Sequence, residues 1–174
     1  MRLVECFDKY DCDKGHKHRY DKIYEPILEP LRHEPLTLLE IGVLRGQSLS
    51  SWLEYFPNAK IIGVDTFGRV PAEAVPILRH PRVTWFACDS TRTAPAVRAD
   101  IIIDDGFHTP EAQLATFNNY WPLLKEGGIY FIEDADPSKT VEYGALMEAL
   151  NPYRVNVNKP KAKNGSYLIE VRRG

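Results

Sequence analysis

The sequence is poor in the features that mark secreted, membrane and nucleic-acid-binding proteins. It has three cysteines in 174 residues and no CxxC pair, which argues against a disulfide framework and a zinc ribbon. No apolar run approaches the length of a membrane span, and the charged N-terminus does not resemble a secretory signal. With a net charge of -2, the chain lacks the excess of positive charge typical of nucleic-acid binders. We therefore expect a cytoplasmic protein with neither a membrane nor a nucleic-acid partner.

The alternation of apolar runs and helical patterns predicts an α/β fold. Several runs are continuously apolar, as strands buried on both faces of a parallel sheet are. We predict strands at 36–41, 60–65, 83–88, 99–104 and 128–133, and helices at 48–55, 71–79 and 110–124. Two alternating segments, 153–158 and 166–171, are joined through Asn164-Gly165 and predict an antiparallel hairpin. The expected fold is a doubly wound, mostly parallel seven-stranded sheet that ends in this hairpin.

The segment before the first strand is expected to form a separate unit. Residues 20–31 are predicted to form two short helices because Pro26 and Pro30 interrupt the pattern. We divide the chain into an N-terminal cap, residues 1–34, and a main domain, residues 35–174. Residues 13–20 are rich in polar donors, and they are interpreted as either a solvated loop or a lid over the main domain.

A glycine-containing turn follows the first predicted strand. Gly42 and Gly46 lie four residues apart between the strand and the helix that begins near Ser48. Glycine allows a sharp bend and a close ligand approach, and a helix N-terminus offers free N–H donors. Leu44 and Glu40 depart from the GxGxxG pattern of dinucleotide-binding proteins. The turn therefore predicts a ligand site, with a tight turn without ligand as the alternative.

Single acidic residues close the second and third predicted strands. Asp65 stands where a carboxylate accepts hydrogen bonds from a ribose diol in doubly wound sheets. Asp89 stands where it would meet an adenine edge. Sites for NAD and for S-adenosylmethionine share this arrangement. Each aspartate is also a suitable helix N-cap, so capping is the alternative to ligand binding.

Two acidic pairs follow neighbouring strands. Asp104 and Asp105, with His108 three residues on, leave the fourth strand, and Glu133 and Asp134 leave the fifth. Carboxylates brought so close repel one another unless a cation lies between them, and Mg²⁺ prefers oxygen ligands. Histidine is the side chain whose ordinary pKa lies nearest neutral pH, so a histidine at position 108 suits a general base. The pattern predicts a metal-assisted catalytic site; the alternative is acidic helix caps that face solvent.

Together these motifs resemble the class I S-adenosylmethionine-dependent methyltransferases. The segments DKGHKHRY, LLEIGVLRGQSL, IIGVD, IIIDDGFH and GGIYFIEDAD are most similar to the metal-dependent sugar O-methyltransferases of the macrocin and mycinamicin type. The resemblance implies His108 and Asp105 as catalytic residues and Asp105, Glu133 and Asp134 as Mg²⁺ ligands. The cofactor-binding residues it implies are Lys14, Tyr20, Glu40, Gly42, Gly46, Ser48, Asp65, Thr66, Asp89, Ser90 and Asp104.

The function expected from this resemblance is O-methylation of a hydroxyl of a small molecule, either a sugar or another diol. S-adenosylmethionine would be the cofactor, with Mg²⁺ assisting. Phe107 stands where a small polar residue is common in the group, which bears on the acceptor. Two alternatives are a non-catalytic module that binds S-adenosylmethionine or a nucleotide, and an NAD-dependent oxidoreductase. The sequence leaves a homo-oligomer open.

Overall fold

The computed structural model describes residues 1–161 and 166–174, and these residues form a seven-stranded sheet. The strands are β1 Thr37–Ile41, β2 Lys60–Asp65, β3 Val83–Ala87, β4 Ala99–Asp104, β5 Leu124–Ala135, β6 Arg154–Asn158 and β7 Tyr167–Arg172. Their order is β3-β2-β1-β4-β5-β7-β6. The first five in this order are parallel, and β7 is antiparallel to both β5 and β6. The predicted α/β fold is confirmed.

Six α-helices accompany the sheet in the described ranges. They are α1 Leu3–Lys9, α2 Asp13–His16, α3 Asp21–Leu28, α4 Gln47–Tyr55, α5 Pro110–Tyr120 and α6 Thr140–Leu150. Short 3₁₀ turns lie at Glu29–Leu31, Ala72–Ala74, Pro76–Arg79 and Trp121–Leu123. In the part of the chain described, no helix has both the length and the apolar character needed to cross a membrane.

Some sequence predictions need correction. The helix predicted at 71–79 is wrong: two 3₁₀ turns stand there, separated by Val75 in an extended conformation (φ -107°, ψ 93°). The physical reason is Pro76, since a proline disfavours the α conformation in the residue before it. Helices α1, α2 and α6 were not predicted, and β5 is longer than the predicted strand. The Asn164-Gly165 turn lies outside the described residues.

The two faces of the sheet carry two apolar cores. One lies between the sheet and helices α1, α3 and α4, and the other lies under α5 and α6. In the first, the ring of Trp52 meets Phe7 and Tyr24 edge-on at 5.1 and 5.3 Å, and Tyr24 meets Phe131 at 4.8 Å. Because Phe7 and Tyr24 are fully buried, the N-terminal helices are part of the main core.

The carboxyl ends of the parallel strands come together around Gly42. Its N–H donates to the carbonyl of Val64 on β2, and the N–H of Asp105 after β4 donates to Ile41 on β1. Gly42 has φ +92°, and a Cβ placed there would lie 2.0 Å from the carbonyl oxygen of Asp105. Only glycine allows this close approach. The turn therefore fixes the distance between the glycine segment and the first acidic pair.

Candidate active site

A cavity of about 650 Å³ opens at the carboxyl ends of the parallel strands. This is within the range of roughly 300–1,000 Å³ typical of ligand pockets, and strand ends are where open α/β sheets bind ligands. The predicted site residues in its wall are Lys14, Gly42, Ser48, Asp65, Thr66, Asp89, Ser90, Asp105, His108, Glu133 and Asp134. Four others, Tyr20, Glu40, Gly46 and Asp104, are not in the wall.

Asp65 ties the end of β2 to the glycine turn. Its Oδ2 accepts hydrogen bonds from the backbone N–H groups of Val43 at 2.8 Å and Leu44 at 3.0 Å. Its Oδ1 accepts from the N–H of Phe67 at 2.8 Å. Leu44 and Phe67 both have positive φ, 48° and 54°, a strained conformation that these bonds help to hold. Asp65 thus shapes the cavity wall in addition to facing it.

Asp89 and Ser90 form the far end of the cavity after β3. Asp89 Oδ1 accepts from the N–H and hydroxyl of Thr91 at 3.0 and 2.7 Å, and these bonds lower the pKa of Asp89. The hydroxyl of Ser90 lies 3.0 Å from that of Thr116, and Asn119 donates to the carbonyl of Ser90 at 2.9 Å. Helix α5, which carries Thr116 and Asn119, therefore anchors this loop.

Lys14 brings a buried positive charge to the acidic strand ends. Its Nζ lies 2.5 Å from Asp105 Oδ2, 2.7 Å from Glu133 Oε2 and 3.5 Å from Glu40 Oε1. The side chain is 1% exposed. Burial alone would disfavour the ammonium, but the three carboxylates raise the pKa of Lys14 well above its usual value. Lys14 is therefore charged, and it neutralises part of the cluster.

The carboxylates behind Lys14 are themselves buried. Glu40 is fully buried, and its Oε2 accepts from the hydroxyl of Ser48 at 2.8 Å. Glu133 Oε1 accepts from the hydroxyl of Tyr24 at 2.5 Å. Burial raises the pKa of Glu40 to about 7 and that of Glu133 to about 8, against the opposing effect of Lys14. These two groups form the floor of the acidic region.

A second acidic group lies nearer to solvent. Oxygens of Asp105 and Asp134 and a ring nitrogen of His108 all lie within 4.8 Å of one another. His108 Nε2 is 3.6 Å from Asp105 Oδ1 and 3.7 Å from Asp134 Oδ2. The imidazole is 40% exposed, so a substrate can reach it. Two carboxylates and an imidazole in this arrangement could hold a divalent ion or serve a proton transfer.

Asp134 is held in place by the N-terminal segment. Its carboxylate lies 3.1 Å from His18 Nδ1 and accepts from the hydroxyl of Tyr20 at 2.8 Å. Burial alone would raise the pKa of Asp134, but these two partners lower it. Similarly, burial would lower the pKa of His18, but Asp13 and Asp134 raise it to about 9. Asp134 has φ +52°, and this unusual backbone conformation aims its carboxylate at the cluster.

Two predicted cofactor residues stand behind the cavity. Asp104 is 2% exposed; its Oδ1 accepts from the N–H of Gly106, and its Oδ2 has no hydrogen-bond partner among the described residues. Burial raises the pKa of Asp104 to about 7. Gly46, with φ +78°, is the N-cap of α4, and a Cβ there would lie 2.5 Å from Ile77. Neither residue lines the cavity; Asp104 holds the backbone after β4, and Gly46 allows the turn that starts α4.

His18 and Tyr24 are the contributors that sequence reasoning missed. His18 lies in a polar segment that is interpreted from the sequence as either a solvated loop or a lid, and no role follows from this for the histidine itself. Tyr24 lies on α3, eight residues with an apolar face towards the core. Tyr20 and Tyr24 are four residues apart, and a helical spacing of tyrosines before the strand was the available signal.

Comparison with known proteins identifies the family. A model described as a methyltransferase domain matches residues 39–135, more than half of the chain. The chain belongs to this methyltransferase domain family. The matched region contains the glycine turn, Asp65, Asp89 and both acidic pairs.

The chain is similar in sequence to curated O-methyltransferases. The chain is 31% identical over 145 residues to the 8-demethyl-8-alpha-L-rhamnosyl tetracenomycin-C 2'-O-methyltransferase of Streptomyces olivaceus, covering 75% of this chain and 36% of the relative. It is 31% identical over 157 residues to the L-olivosyl-oleandolide 3-O-methyltransferase of Streptomyces antibioticus, covering 83% and 40%. The chain thus spans about two fifths of the length of these curated relatives.

The fold is shared with the MycE methyltransferase of the mycinamycin biosynthetic pathway. In its complex with Mg, SAH and mycinamycin VI, that structure superposes with a TM-score of 0.78 at 22% identity, covering all of this chain and 55% of that one. At this identity the likeness shows the fold: a Rossmann-like methyltransferase domain.

Proposed function

We propose that the protein is an S-adenosylmethionine-dependent O-methyltransferase that acts, with Mg²⁺, on a hydroxyl of a small molecule. The observation that carries the proposal is that the Asp105, His108 and Asp134 group opens into the same cavity as Asp65 and Asp89. A cofactor-binding half and a proton-transfer half therefore share one space. The two relatives described above are named as O-methyltransferases of glycosylated products, which supports a sugar or another diol as the acceptor.

The cavity fits the cofactor. S-adenosylmethionine supplies an electrophilic methyl group on a sulfonium. Gly42 and Ser48 would face its methionine part, Asp65 and Thr66 its ribose, and Asp89 and Ser90 its adenine. Asp65 retains acceptor capacity on Oδ1 beside the N–H of Phe67. Glu40, Gly46, Asp104 and Tyr20, which do not line the cavity, would act by shaping its wall.

The outer acidic group suits a magnesium ion. Mg²⁺ prefers oxygen ligands and commonly uses one or two carboxylates, and Asp105 and Asp134 provide these. When bound, the ion would lower the pKa of a chelated substrate hydroxyl, with about 1.4 kcal/mol gained per pKa unit. The third predicted ligand, Glu133, has its carboxylate oxygens engaged by Lys14 and Tyr24.

His108 would act as the general base. Its Nε2 faces both carboxylates, which would stabilise the positive charge it acquires. In the reaction, the substrate O–H bond breaks and its proton goes to this nitrogen, while the oxygen forms a bond to the methyl carbon and the sulfonium C–S bond breaks. Asp105 contributes to the same step by its position between His108 and Lys14.

Residues 1–34 would act as a cap. Lys14, His18 and Tyr20 connect this segment to the acidic strand ends, and residues 11–14 and 16–18 line the cavity. We propose that this segment shields the reacting groups from water. Location in the cytoplasm and assembly as a homo-oligomer stay predictions.

A binding and transfer experiment tests the proposal. The protein is titrated with S-adenosylhomocysteine by calorimetry, and methyl transfer from labelled S-adenosylmethionine to rhamnosides and other diol-bearing acceptors is measured with Mg²⁺ or with a chelator. We expect binding of S-adenosylhomocysteine and transfer that depends on Mg²⁺. Failure to bind S-adenosylhomocysteine would contradict the proposal. Binding without transfer to any acceptor would favour a non-catalytic module.

A further inference from the structure

An exposed phenylalanine lies in the cavity wall, directly before the proposed general base. Among the phenylalanine, tyrosine and tryptophan residues of the described ranges, only Phe107 and Trp85 are exposed, at 73% and 41%. The ring of Trp85 meets that of Phe67 edge-on at 5.2 Å, and neither of these two residues lines the cavity. Phe107 does line the cavity, and His108 follows it. A single exposed apolar side chain is ordinary on a protein surface, so it is the place of Phe107 beside the reacting groups that points to a function.

The backbone on both sides of Phe107 is held in place. The N–H of Asp105 donates to the carbonyl of Ile41 on β1 at 2.9 Å, and the N–H of Thr109 donates to the carbonyl of Phe107 at 2.9 Å. Thr109 is also the N-cap of α5, where its hydroxyl accepts from the N–H of Ala112 at 3.3 Å. The loop therefore presents the phenyl ring to the cavity from a fixed backbone, and a ligand that packs on the ring does not have to order this segment first.

Two ligands compete for contact with this ring, the acceptor and the cofactor. Because His108 follows Phe107, an acceptor hydroxyl placed at the imidazole brings the carbon atoms that carry it next to this loop. The loop also lies near the proposed adenine end, since a Cβ on Gly106 would be 3.9 Å from the hydroxyl of Ser90. Phe107 is one residue from the proposed base, which favours the acceptor, and the experiment below separates the two ligands.

We propose that Phe107 determines acceptor specificity and that the acceptor carries its reacting hydroxyl on a ring with an apolar face. The inference rests on the proposed methyltransferase function and adds to it the class of acceptor. A phenyl ring offers no conventional hydrogen bond, and it packs well against an aromatic ring or the C–H face of a sugar ring. An acyclic polyol has no such face, so it gains little from Phe107. Catechols and sugars share the required chemistry, because each carries neighbouring hydroxyls on a ring.

Replacement of Phe107 by serine tests the proposal. Methyl transfer by the wild-type protein and by Phe107→Ser is measured with catechol, methyl α-L-rhamnoside and glycerol, three acceptors with neighbouring hydroxyls. The wild-type protein should have a higher kcat/KM for at least one ring acceptor than for glycerol, and the ring that it prefers distinguishes an aromatic acceptor from a sugar. Phe107→Ser should lose about 10–100-fold of this preference, mainly through KM, because the apolar contact is removed. Wild-type preference for glycerol, or the same preference in both proteins, would overturn the proposal.

Two control variants and a cofactor titration make the result specific. Phe107→Tyr keeps the face of the ring and should retain the wild-type preference. Val141→Ser removes an apolar side chain that is 92% exposed on α6, outside the cavity, and should change neither kcat nor KM. Phe107→Ser should bind S-adenosylhomocysteine with wild-type affinity. A loss of S-adenosylhomocysteine affinity as large as the loss of acceptor preference would show that the ring serves the cofactor, and this would overturn the proposal.

A binding measurement separates this inference from the proposed function. Saturation-transfer nuclear magnetic resonance records binding of catechol and methyl α-L-rhamnoside in the presence of S-adenosylhomocysteine. If the wild-type protein transfers no methyl group but binds one of these compounds, and Phe107→Ser does not, the role of Phe107 is supported while the proposed transfer to that compound fails. Binding of neither compound, or equal binding by both proteins, would overturn the role of Phe107. Because the side chain is largely exposed, Phe107→Ser should fold, and a melting curve verifies this.

Discussion

Tyr20 and Asp134 exchange two hydrogen bonds across the boundary between the N-terminal segment and the sheet. The hydroxyl of Tyr20 donates to Asp134 Oδ1 at 2.8 Å, and the backbone N–H of Asp134 donates to the same hydroxyl oxygen at 3.1 Å. The ring of Tyr20 is fully buried, and it stacks on His18, the second partner of Asp134. The orientation of a proposed metal ligand thus depends on a residue 114 positions earlier in the chain.

Removal of the Tyr20 hydroxyl should weaken both metal binding and stability. Tyr20→Phe keeps the ring but frees Asp134 to turn, and the loss of a partner that orients a metal ligand typically costs about 10–100-fold in affinity. The free energy of unfolding should fall by about 1 kcal/mol, since a half-buried carboxylate loses one of its hydrogen-bond donors. Mn²⁺ titration and a denaturant melt measure the two effects.

Tyr55→Phe is the matched control for this experiment. The hydroxyl of Tyr55 also donates to a carboxylate, that of Glu29 at 2.6 Å, and neither residue lines the cavity. This variant should lose stability while its Mn²⁺ affinity stays at the wild-type value. An equal loss of Mn²⁺ affinity in both variants would contradict an orienting role for Tyr20.

Removal of the imidazole of His108 should abolish most of the methyl transfer. General-base catalysis contributes about 10²–10⁴-fold to a rate, so His108→Ala should lower kcat by a factor in that range. Binding of S-adenosylhomocysteine should change little, because the proposed cofactor residues at and after the ends of β1, β2 and β3 are untouched. His33→Ala, at an exposed position outside the cavity, should keep full activity. Full activity of His108→Ala would refute the assignment of the base.

The fold was predictable from the sequence because buried parallel strands have a strong signature. The runs LTLLEI, KIIGVD and ADIIID are apolar without alternation, and the structure places them at the centre of the sheet. Helix α6 was missed: it contains Gly144, and its N-cap, Lys139, makes no side-chain cap bond. Its buried side chains belong to the same apolar core as residues of α5 and β5. This tertiary packing stabilises the helix, although the local sequence does not predict it.

Individual roles in the site were less predictable than the location of the site. A lysine in the polar segment DKGHKHRY is ordinarily exposed, and only the path of α2 over the strand ends buries Lys14 among three carboxylates. Similarly, the sequence places Asp65 at a strand end, but its bonds to Val43 and Leu44 depend on the geometry of the glycine turn. Spacing along the chain carries no information about such contacts.

The three cysteines should differ sharply in reactivity. Burial raises the pKa of Cys6 to about 11 and that of Cys12 to about 12. Because the thiolate is the reactive form, a thiol with a pKa near 11 is only about one part in a thousand ionised at pH 8. Cys88 is partly exposed in the cavity wall. At pH 8, an aromatic disulfide reagent should modify Cys88 first and the other two only on unfolding.

Cofactor binding should protect Cys88. If the adenine end of the cavity is occupied as proposed, saturating S-adenosylhomocysteine should slow the modification of Cys88 at least tenfold. Cys88→Ser, which removes the fast-reacting thiol, serves as the control that identifies it. Equal rates of Cys88 modification with and without S-adenosylhomocysteine would place the cofactor elsewhere.

A pair of glycine substitutions should have opposite effects on stability. Gly42→Ala places a Cβ 2.0 Å from the carbonyl oxygen of Asp105 at φ +92°, so the glycine turn and the first acidic pair must move apart. We expect a loss of several kcal/mol of unfolding free energy, or failure to fold, and loss of S-adenosylhomocysteine binding. Gly144→Ala lies on the exposed face of α6, with nothing within 4 Å of the new Cβ. It should stabilise the protein by about 0.4–1 kcal/mol, because alanine lowers the entropy of the unfolded chain and favours the helix. Denaturant melts of the two variants measure both effects, and wild-type stability and cofactor binding in Gly42→Ala would show that the contact between the turn and Asp105 does not constrain the site.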